Sequence, residues 1–225
     1  MPTGSMPIMS RIISYSTADK ADVLAFLGAA GELTADQQRR LGRMRERARE
    51  RQHDLDRQDI DLGLSIPDAL EHLVAGHASA TAEGAASAYH HALQLVIDSN
   101  ASDPSDLGVY SKPSTFFGLV DEELRRLGVD PGLLLHDHLF SGPPAEIPFS
   151  LPYPVDGPHI GMLPLARVKP MADAYRAVLD RMNEDFRYDV REVIEKLDFE
   201  HKEWEYATRN IDWYTQDTLF FSITG

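Results

Sequence analysis

The segment from Pro158 to Leu179 has the sequence PHIGMLPLARVKPMADAYRAVL, and it joins the two kinds of element from which we expect the fold to be built. Its first part, Ile160 to Leu163, is short and apolar and predicts a β-strand. The residues that follow are apolar at helical spacing, which predicts an amphipathic helix. The segment lies between the most proline-dense part of the chain and its longest helical pattern. We therefore expect it to supply the central strand and helix of the core.

The composition is that of an ordinary globular protein with a single domain. The 225 residues are 43% hydrophobic and 26% charged, and no apolar run approaches the roughly 20 residues that cross a bilayer. The absence of cysteine excludes disulfides and thiolate chemistry, and it favours a cytoplasmic location. The net charge of −14 opposes binding to nucleic acid phosphates. Such a charge serves either solubility alone or attraction to a basic partner.

Helical patterns outnumber strand patterns along the chain. Arg11 to Ser16 and Thr218 to Thr224 are β-branched and aromatic, which predicts the first and last strands. The fold class that we expect is α/β of the mixed α+β kind, a single compact domain that is helix-rich around a small sheet. We predict that residues 1–8 form a disordered lead-in and that the domain covers residues 9–225.

One helix is unusually rich in arginine. Thr34 and Gln37 have the spacing of a capping box, which predicts a helix over residues 35–58. This segment holds eight arginines and five acidic residues, a local charge of +3 that leaves −17 on the rest of the chain. Its apolar stripe is thin, so we expect it to bury little. The candidate partner-binding residues recur every four positions on one face: Arg39, Arg43, Arg47 and Arg51. This face either lies on the acidic body of the protein or projects from it.

The candidate ligand-binding residues lie in and near a proline-rich loop. Six prolines between residues 143 and 158 forbid a regular helix or a central strand, so this segment is predicted to be an ordered loop or arm. Polar and aromatic side chains in and around it are Tyr153, Asp156, His136, His138 and His159. The three histidines suit zinc or iron. However, residues 133–140 have a helical pattern in which positions two apart diverge, and we expect no bound metal or other cofactor.

Further aromatic residues leave two interpretations open. Tyr153, Trp204, Tyr206, Trp213 and Tyr214 either line a cleft near the loop or pack the last helix against the sheet. The sequence contains no Gly-x-Ser-x-Gly elbow, no P-loop and no Gly-x-Gly-x-x-Gly motif, so no catalytic residue is assigned.

Several short stretches carry a resemblance to a known family. They are MSRIISY (9–15), ALEHLVAG (69–76), LFSGPP (139–144) and IGML (160–163), followed by a long last helix and a terminal strand. In this order they resemble bacterial YfbM-like proteins and a related actinobacterial family of unknown function. The resemblance implies one compact α/β domain from Met9 to Gly225, in which the helix at 35–58 is an insertion. It implies no catalytic residue.

Two functional hypotheses follow from these observations. The first is a soluble interaction or regulatory protein, similar in action to an immunity protein, which binds another macromolecule. It depends on the acidic composition, the missing motifs and the arginine-rich helix. The second is an enzyme or small-ligand-binding protein with a pocket beside the loop at 143–158. In both hypotheses we expect no binding to nucleic acid or membranes.

Overall fold

The structure, a computed structural model, describes residues 10–29, 31–154 and 157–225. The predicted disordered lead-in at 1–8 and the candidate residue Asp156 lie outside these ranges. Four strands form one antiparallel sheet in the order β2-β1-β4-β3. Their bounds are Arg11–Ala18 for β1, Ser105–Tyr110 for β2, His159–Pro164 for β3 and Thr218–Thr224 for β4. The predicted fold class, helix-rich around a small sheet, is confirmed.

Helices cover both faces of this sheet. The first four are α1 (Lys20–Leu24), α2 (Ala35–Arg57), α3 (Ile66–Ala75) and α4 (Ala85–Asp98). The others are α5 (Pro113–Arg126), α6 (Leu135–Leu139), α7 (Leu165–Val178) and α8 (Glu184–Asn210), with 3-10 turns at Pro131–Leu133 and Leu179–Arg181. Because strand side chains alternate between faces, Phe220 and Ile160 pack with α1 to α4, whereas Phe221 and Ile13 pack with α5 to α8. The sheet therefore separates two hydrophobic cores.

The expectation that the strand at 160–163 would be central was wrong. β3 lies at an edge of the sheet, and the last strand, β4, lies in the middle beside β1. β4 is buried on both faces from Thr218 to Ile223. In β3, a Cβ built on Gly161 would lie 2.3 Å from the carbonyl oxygen of Leu139, so α6 packs directly on the backbone of this strand. The edge of β3 is also covered, because the backbone N–H of Met162 donates to Oγ of Ser141 and its carbonyl oxygen lies 3.0 Å from Nδ1 of His138.

The arginine-rich helix is part of the core, so the expectation that it buries little was also wrong. Thr34 and Gln37 form the predicted capping box at the start of α2. The thin stripe of the helix is fully used: Leu41, Met44, Ala48 and Leu55 are 0–5% exposed and pack with α3 and α4. Four apolar side chains of small or medium size are enough to join this helix to the core, because each is almost completely enclosed.

The proline-rich segment is a packed loop over the residues that the structure describes. It leaves α6, and Ile147, Phe149 and Leu151 pack against the core on the α1-to-α4 side before the chain enters β3. The loop therefore joins one face of the sheet to the other. Among the described residues, no helix combines the length and apolarity needed to cross a membrane.

Candidate functional site

A cleft of about 300 Å³ opens where β1 and β3 begin and where β2 and β4 end. Its lining residues are Arg11, Ser111, Lys112, Pro113, Ser114, Thr115, Phe140, Tyr153, His159 and Ile223. Strand register fixes its walls, because Arg11 pairs with Tyr110 of β2 and His159 pairs with Ile223 of β4. We call this site the end-of-sheet cleft.

The end-of-sheet cleft carries positive charge in an acidic protein. Arg11 and Lys112 both line it, and among the described residues neither forms an ion pair within 4.0 Å. Ser114 and Thr115 belong to the first turn of α5, and Lys112, the residue before this helix, provides no side-chain cap. The backbone N–H groups of an uncapped first turn attract anions. The polar part of this cleft is thus arranged for an anion.

The other part of the cleft is aromatic. The Tyr153 side chain is 78% exposed, and its ring centroid lies 5.4 Å from that of His159. Phe140 lies beside them. A smaller cavity of about 100 Å³ continues beneath the proline loop and shares these three residues. A planar or apolar portion of a ligand would find stacking partners here.

The structure brings together only part of the predicted ligand-binding set. Tyr153 and His159 meet in the end-of-sheet cleft. His136 lies behind Phe140, with ring centroids 4.8 Å apart. His138 turns away, and its Nδ1 lies 3.0 Å from the carbonyl oxygen of Met162. The two histidines of α6 diverge because α6 is helical, as the spacing predicted.

Sequence reasoning missed the two cations of the cleft. Arg11 was interpreted only as the start of a strand, and Lys112 was not considered. A local signal was present in Ser111-Lys-Pro-Ser-Thr115, where a serine and a lysine precede a helix that begins with proline and has two hydroxyl residues in its first turn. No signal in one sequence connects this stretch with Arg11, since strand pairing brings them together.

Sequence reasoning also missed Asp121, which belongs to a different candidate site. Oxygen or nitrogen atoms of Asp121, His136 and Asp137 lie within 4.8 Å of one another. Asp121 is 1% exposed, and its Oδ2 accepts a hydrogen bond from the backbone N–H of His136 at 3.0 Å. Burial, above all, raises its pKa to about 7. The signal was an aspartate on the apolar stripe of α5, beside Val120 and Leu124.

A separate polar cavity of about 290 Å³ lies between α4 and the face of the sheet that α1 to α4 cover. Its polar lining includes Ser14, Ser16, Arg51, His91, Gln94, Asp98 and Ser222. Burial and the nearby Arg51 guanidinium lower the pKa of His91 to about 4, so this imidazole is neutral near pH 7.

The predicted arginine face of α2 is divided among different surroundings. Arg39 donates a hydrogen bond to Asp36 of its own helix, whereas Arg51 lines the polar cavity. Arg45, outside the predicted set, forms two hydrogen bonds of 2.6 and 2.8 Å to Glu71 of α3. The helix therefore lies on the body of the protein, and part of its charge is used there.

The five aromatic residues named in the sequence analysis also lie in different surroundings. Trp204 packs against the core, and its Nε1 donates a hydrogen bond to the carbonyl oxygen of Gln216. Tyr153 lines the cleft. Tyr206 of α8 is 64% exposed, and Trp213, which follows the end of α8, is 80% exposed. Neither interpretation made from the sequence covers all five residues.

Comparison with known proteins gives a family but no described function. No curated protein and no solved structure matches the chain. The resemblance to YfbM-like proteins therefore stays a prediction. One family model covers residues 9–222, almost the whole length of the fold described above. The chain belongs to the family described as "Domain of unknown function (DUF7691)".

Proposed function

We propose that the protein binds a small anionic ligand, bearing a phosphate or carboxylate group, in the end-of-sheet cleft. The observation that carries this proposal is the presence of Arg11 and Lys112 in one cleft without a carboxylate partner within 4.0 Å among the described residues. Two cations that line one cleft repel each other, and a bound anion offsets this repulsion. The hydroxyl groups of Ser114 and Thr115 supply further donors.

The aromatic wall narrows the class of ligand. Tyr153 is largely exposed beside His159 and Phe140, an arrangement suited to a planar ring. We therefore propose a ligand that combines an anionic group with a ring. This proposal follows the second hypothesis made from the sequence, a small-ligand-binding protein with a pocket beside the loop at 143–158. The proposed pocket lies at the end of that loop, where Tyr153 is found.

Titration with two probes tests both parts of this proposal. Isothermal calorimetry would compare inorganic phosphate with phenyl phosphate, which adds only a ring. We expect phenyl phosphate to bind more tightly. Replacing Arg11 and Lys112 with glutamine weakens both probes by about ten-fold or more, because one charge-assisted hydrogen bond contributes about 1.5–3 kcal/mol. Tyr153→Ala removes only the advantage of the ring.

A control variant separates local contacts from net charge. Arg43→Gln with Lys202→Gln removes the same charge from exposed positions on α2 and α8, outside the cleft. This variant should bind both probes as the wild type does. Equal losses in the two double variants, or no saturable binding of either probe to the wild type, contradict the proposal.

A second function, binding of a basic protein partner, is favoured by the outer face of α8. Phe199 lies 11 residues after Tyr188 and 7 residues before Tyr206, so the three side chains share one face of the helix. All three are more than half exposed. Trp213 follows the end of the helix and is 80% exposed. α8 holds nine acidic and five basic residues, which favours a partner of positive charge. It keeps the interaction hypothesis made from the sequence but assigns the binding surface to α8 instead of the arginine face of α2.

Substitution of the aromatic face tests this second function. The chain and its variant Tyr188→Ser, Phe199→Ser, Tyr206→Ser would be immobilised and exposed to native lysate at low and high salt. We expect a basic protein that the wild type retains at low salt and the variant loses. A control with Ile60→Ser and Leu119→Ser removes exposed apolar side chains elsewhere. Retention of the same protein by the aromatic variant contradicts the proposal.

Two further expectations belong with these proposals. The total charge of −14 opposes binding to nucleic acid even though α2 is basic, so we expect no salt-sensitive binding to DNA or RNA. A chain without cysteine is suited to a reducing compartment, and we propose a cytoplasmic location.

A further inference from the structure

Three side chains between α5 and α6 have the composition of a metal site. They are Asp121, His136 and Asp137, and their ligand atoms lie within 4.8 Å of one another. We propose that they bind a divalent metal ion of the zinc class. This site differs from the set that the sequence suggested, since His138 and His159 take no part in it. It also departs from our expectation that no metal binds.

The buried oxygen of Asp121 is an independent observation in favour of a cation. Asp121 is 1% exposed, and its Oδ1 has no hydrogen-bond partner among the described residues. Its other oxygen, Oδ2, accepts from the backbone N–H of His136. A buried polar atom without a partner costs about 1–3 kcal/mol. A metal ion bound to Oδ1 removes this cost and stabilises the ionised carboxylate.

The surroundings of His136 fit the role of a ligand. Its Nδ1 lies 3.7 Å from Oδ1 of Asp137, and its Nε2 lies 3.3 Å from Oγ of Ser114. A histidine that binds a metal through one nitrogen commonly donates the N–H of the other to a nearby acceptor, which fixes the tautomer. Coordination through Nδ1 leaves Nε2–H to donate to Ser114, a residue that also lines the end-of-sheet cleft.

The donor set determines the class of ion. One imidazole nitrogen and two carboxylate oxygens suit zinc, whereas calcium and magnesium prefer ligands that are all oxygen. The Asp137 side chain is 65% exposed and the His136 side chain is 29% exposed, so both can rotate to reach about 2.0–2.2 Å from the ion. Three protein ligands leave a fourth position for water or a ligand. The inference is independent of anion binding in the cleft.

Metal titration of the untagged chain tests this inference. After treatment with a chelator, Zn²⁺ binding would be measured by calorimetry, and Co²⁺ binding by its visible absorption. We expect one ion per chain and the intense absorption of four-coordinate cobalt. Because loss of a ligand disturbs the site at least as much as loss of an outer partner, His136→Gln and Asp137→Asn each weaken Zn²⁺ binding by about ten-fold or more.

A matched control lies on the same helix. His138→Gln removes a histidine two residues away that contacts the backbone of Met162 instead of the cluster, and it should bind Zn²⁺ as the wild type does. Asp121→Asn should abolish binding. His136→Gln and Asp137→Asn keep the test valid if this buried substitution prevents folding. Substoichiometric Zn²⁺ binding, or equal losses in His136→Gln and His138→Gln, overturns the inference.

Discussion

The Nε2 atom of His90 lies 3.1 Å from the carbonyl oxygen of Pro152. The other ring nitrogen, Nδ1, lies 3.1 Å from the carbonyl oxygen of Pro158. One buried imidazole of α4 therefore contacts the proline loop at two points. A neutral imidazole has a single N–H to donate, so both contacts are hydrogen bonds only in the protonated form. Burial opposes that form and lowers the pKa of His90.

Loss of the His90 side chain should release the proline loop. We expect His90→Ala to lower the free energy of unfolding by about 1–3 kcal/mol, since one hydrogen bond to the loop and buried packing are lost together. Amide hydrogen exchange should accelerate in residues 145–154 and remain slow in β4. His53→Ala, at an exposed position of α2, should change stability by no more than about 0.5 kcal/mol. Unchanged exchange in the loop would contradict this prediction.

The contribution of His91 to stability should rise with pH across the range in which its protonation differs between the folded and unfolded states. Burial and Arg51 lower the pKa of this residue in the folded state to about 4, while the unfolded chain binds a proton near pH 6.5. Between these values the unfolded state binds more protons, so acidification favours unfolding. The contribution of His91 is at most about 3 kcal/mol.

Denaturant unfolding at several pH values measures this effect. His91→Gln should reduce the slope of unfolding free energy against pH between about pH 4 and pH 6.5. Other groups still contribute to the slope in this variant: the lowered pKa of His90 acts in the same direction as His91, and the raised pKa of Asp121 acts in the opposite direction. His53→Gln should keep the slope of the wild type. An identical slope for His91→Gln and the wild type would rule out the predicted role.

Two glycine-to-alanine substitutions should have opposite effects. A Cβ at Gly161 would lie 2.3 Å from the carbonyl oxygen of Leu139 and 2.4 Å from that of His138. Gly161→Ala must displace α6 from β3, at a cost of about 1–3 kcal/mol. A Cβ at Gly42 of α2 meets nothing within 4 Å, so Gly42→Ala should stabilise the protein by about 0.5–1 kcal/mol through helix propensity. Thermal unfolding of both variants checks the signs, and destabilisation by Gly42→Ala would contradict the second.

The arginine-rich helix should unfold together with the rest of the domain. Met44 is 0% exposed in the core between α2, α3 and α4. We expect Met44→Ala to lower the free energy of unfolding by about 2–5 kcal/mol in a single transition. Replacing Arg39, Arg43, Arg47 and Arg51 with glutamine should leave that transition cooperative. Far-ultraviolet circular dichroism and tryptophan fluorescence should give coincident curves. A separate early transition for α2 would show that it is an appendage.

Local patterns in the sequence were sufficient for several elements. The capping box of Thr34 and Gln37 predicted where α2 begins, and the apolar spacing predicted a helix after β3. Such signals succeed because the interactions behind them join residues three or four positions apart. The same reasoning predicted that His136 and His138 diverge.

Tertiary structure alone decided which strand is central and which residues form the cleft. Arg11, Lys112, Tyr153 and His159 meet only because β1 pairs with β2 on one side and with β4 on the other, and β4 in turn pairs with β3. Their separation along the chain leaves no periodic pattern to recognise. The burial of α2 likewise depends on how completely α3 and α4 enclose Met44. The sequence by itself thus determined the class and the local elements of this protein, because hydrogen bonds and side-chain spacing within one element are local. The order of the strands and the charged cleft were decided by long-range pairing, whose partners a single sequence does not specify.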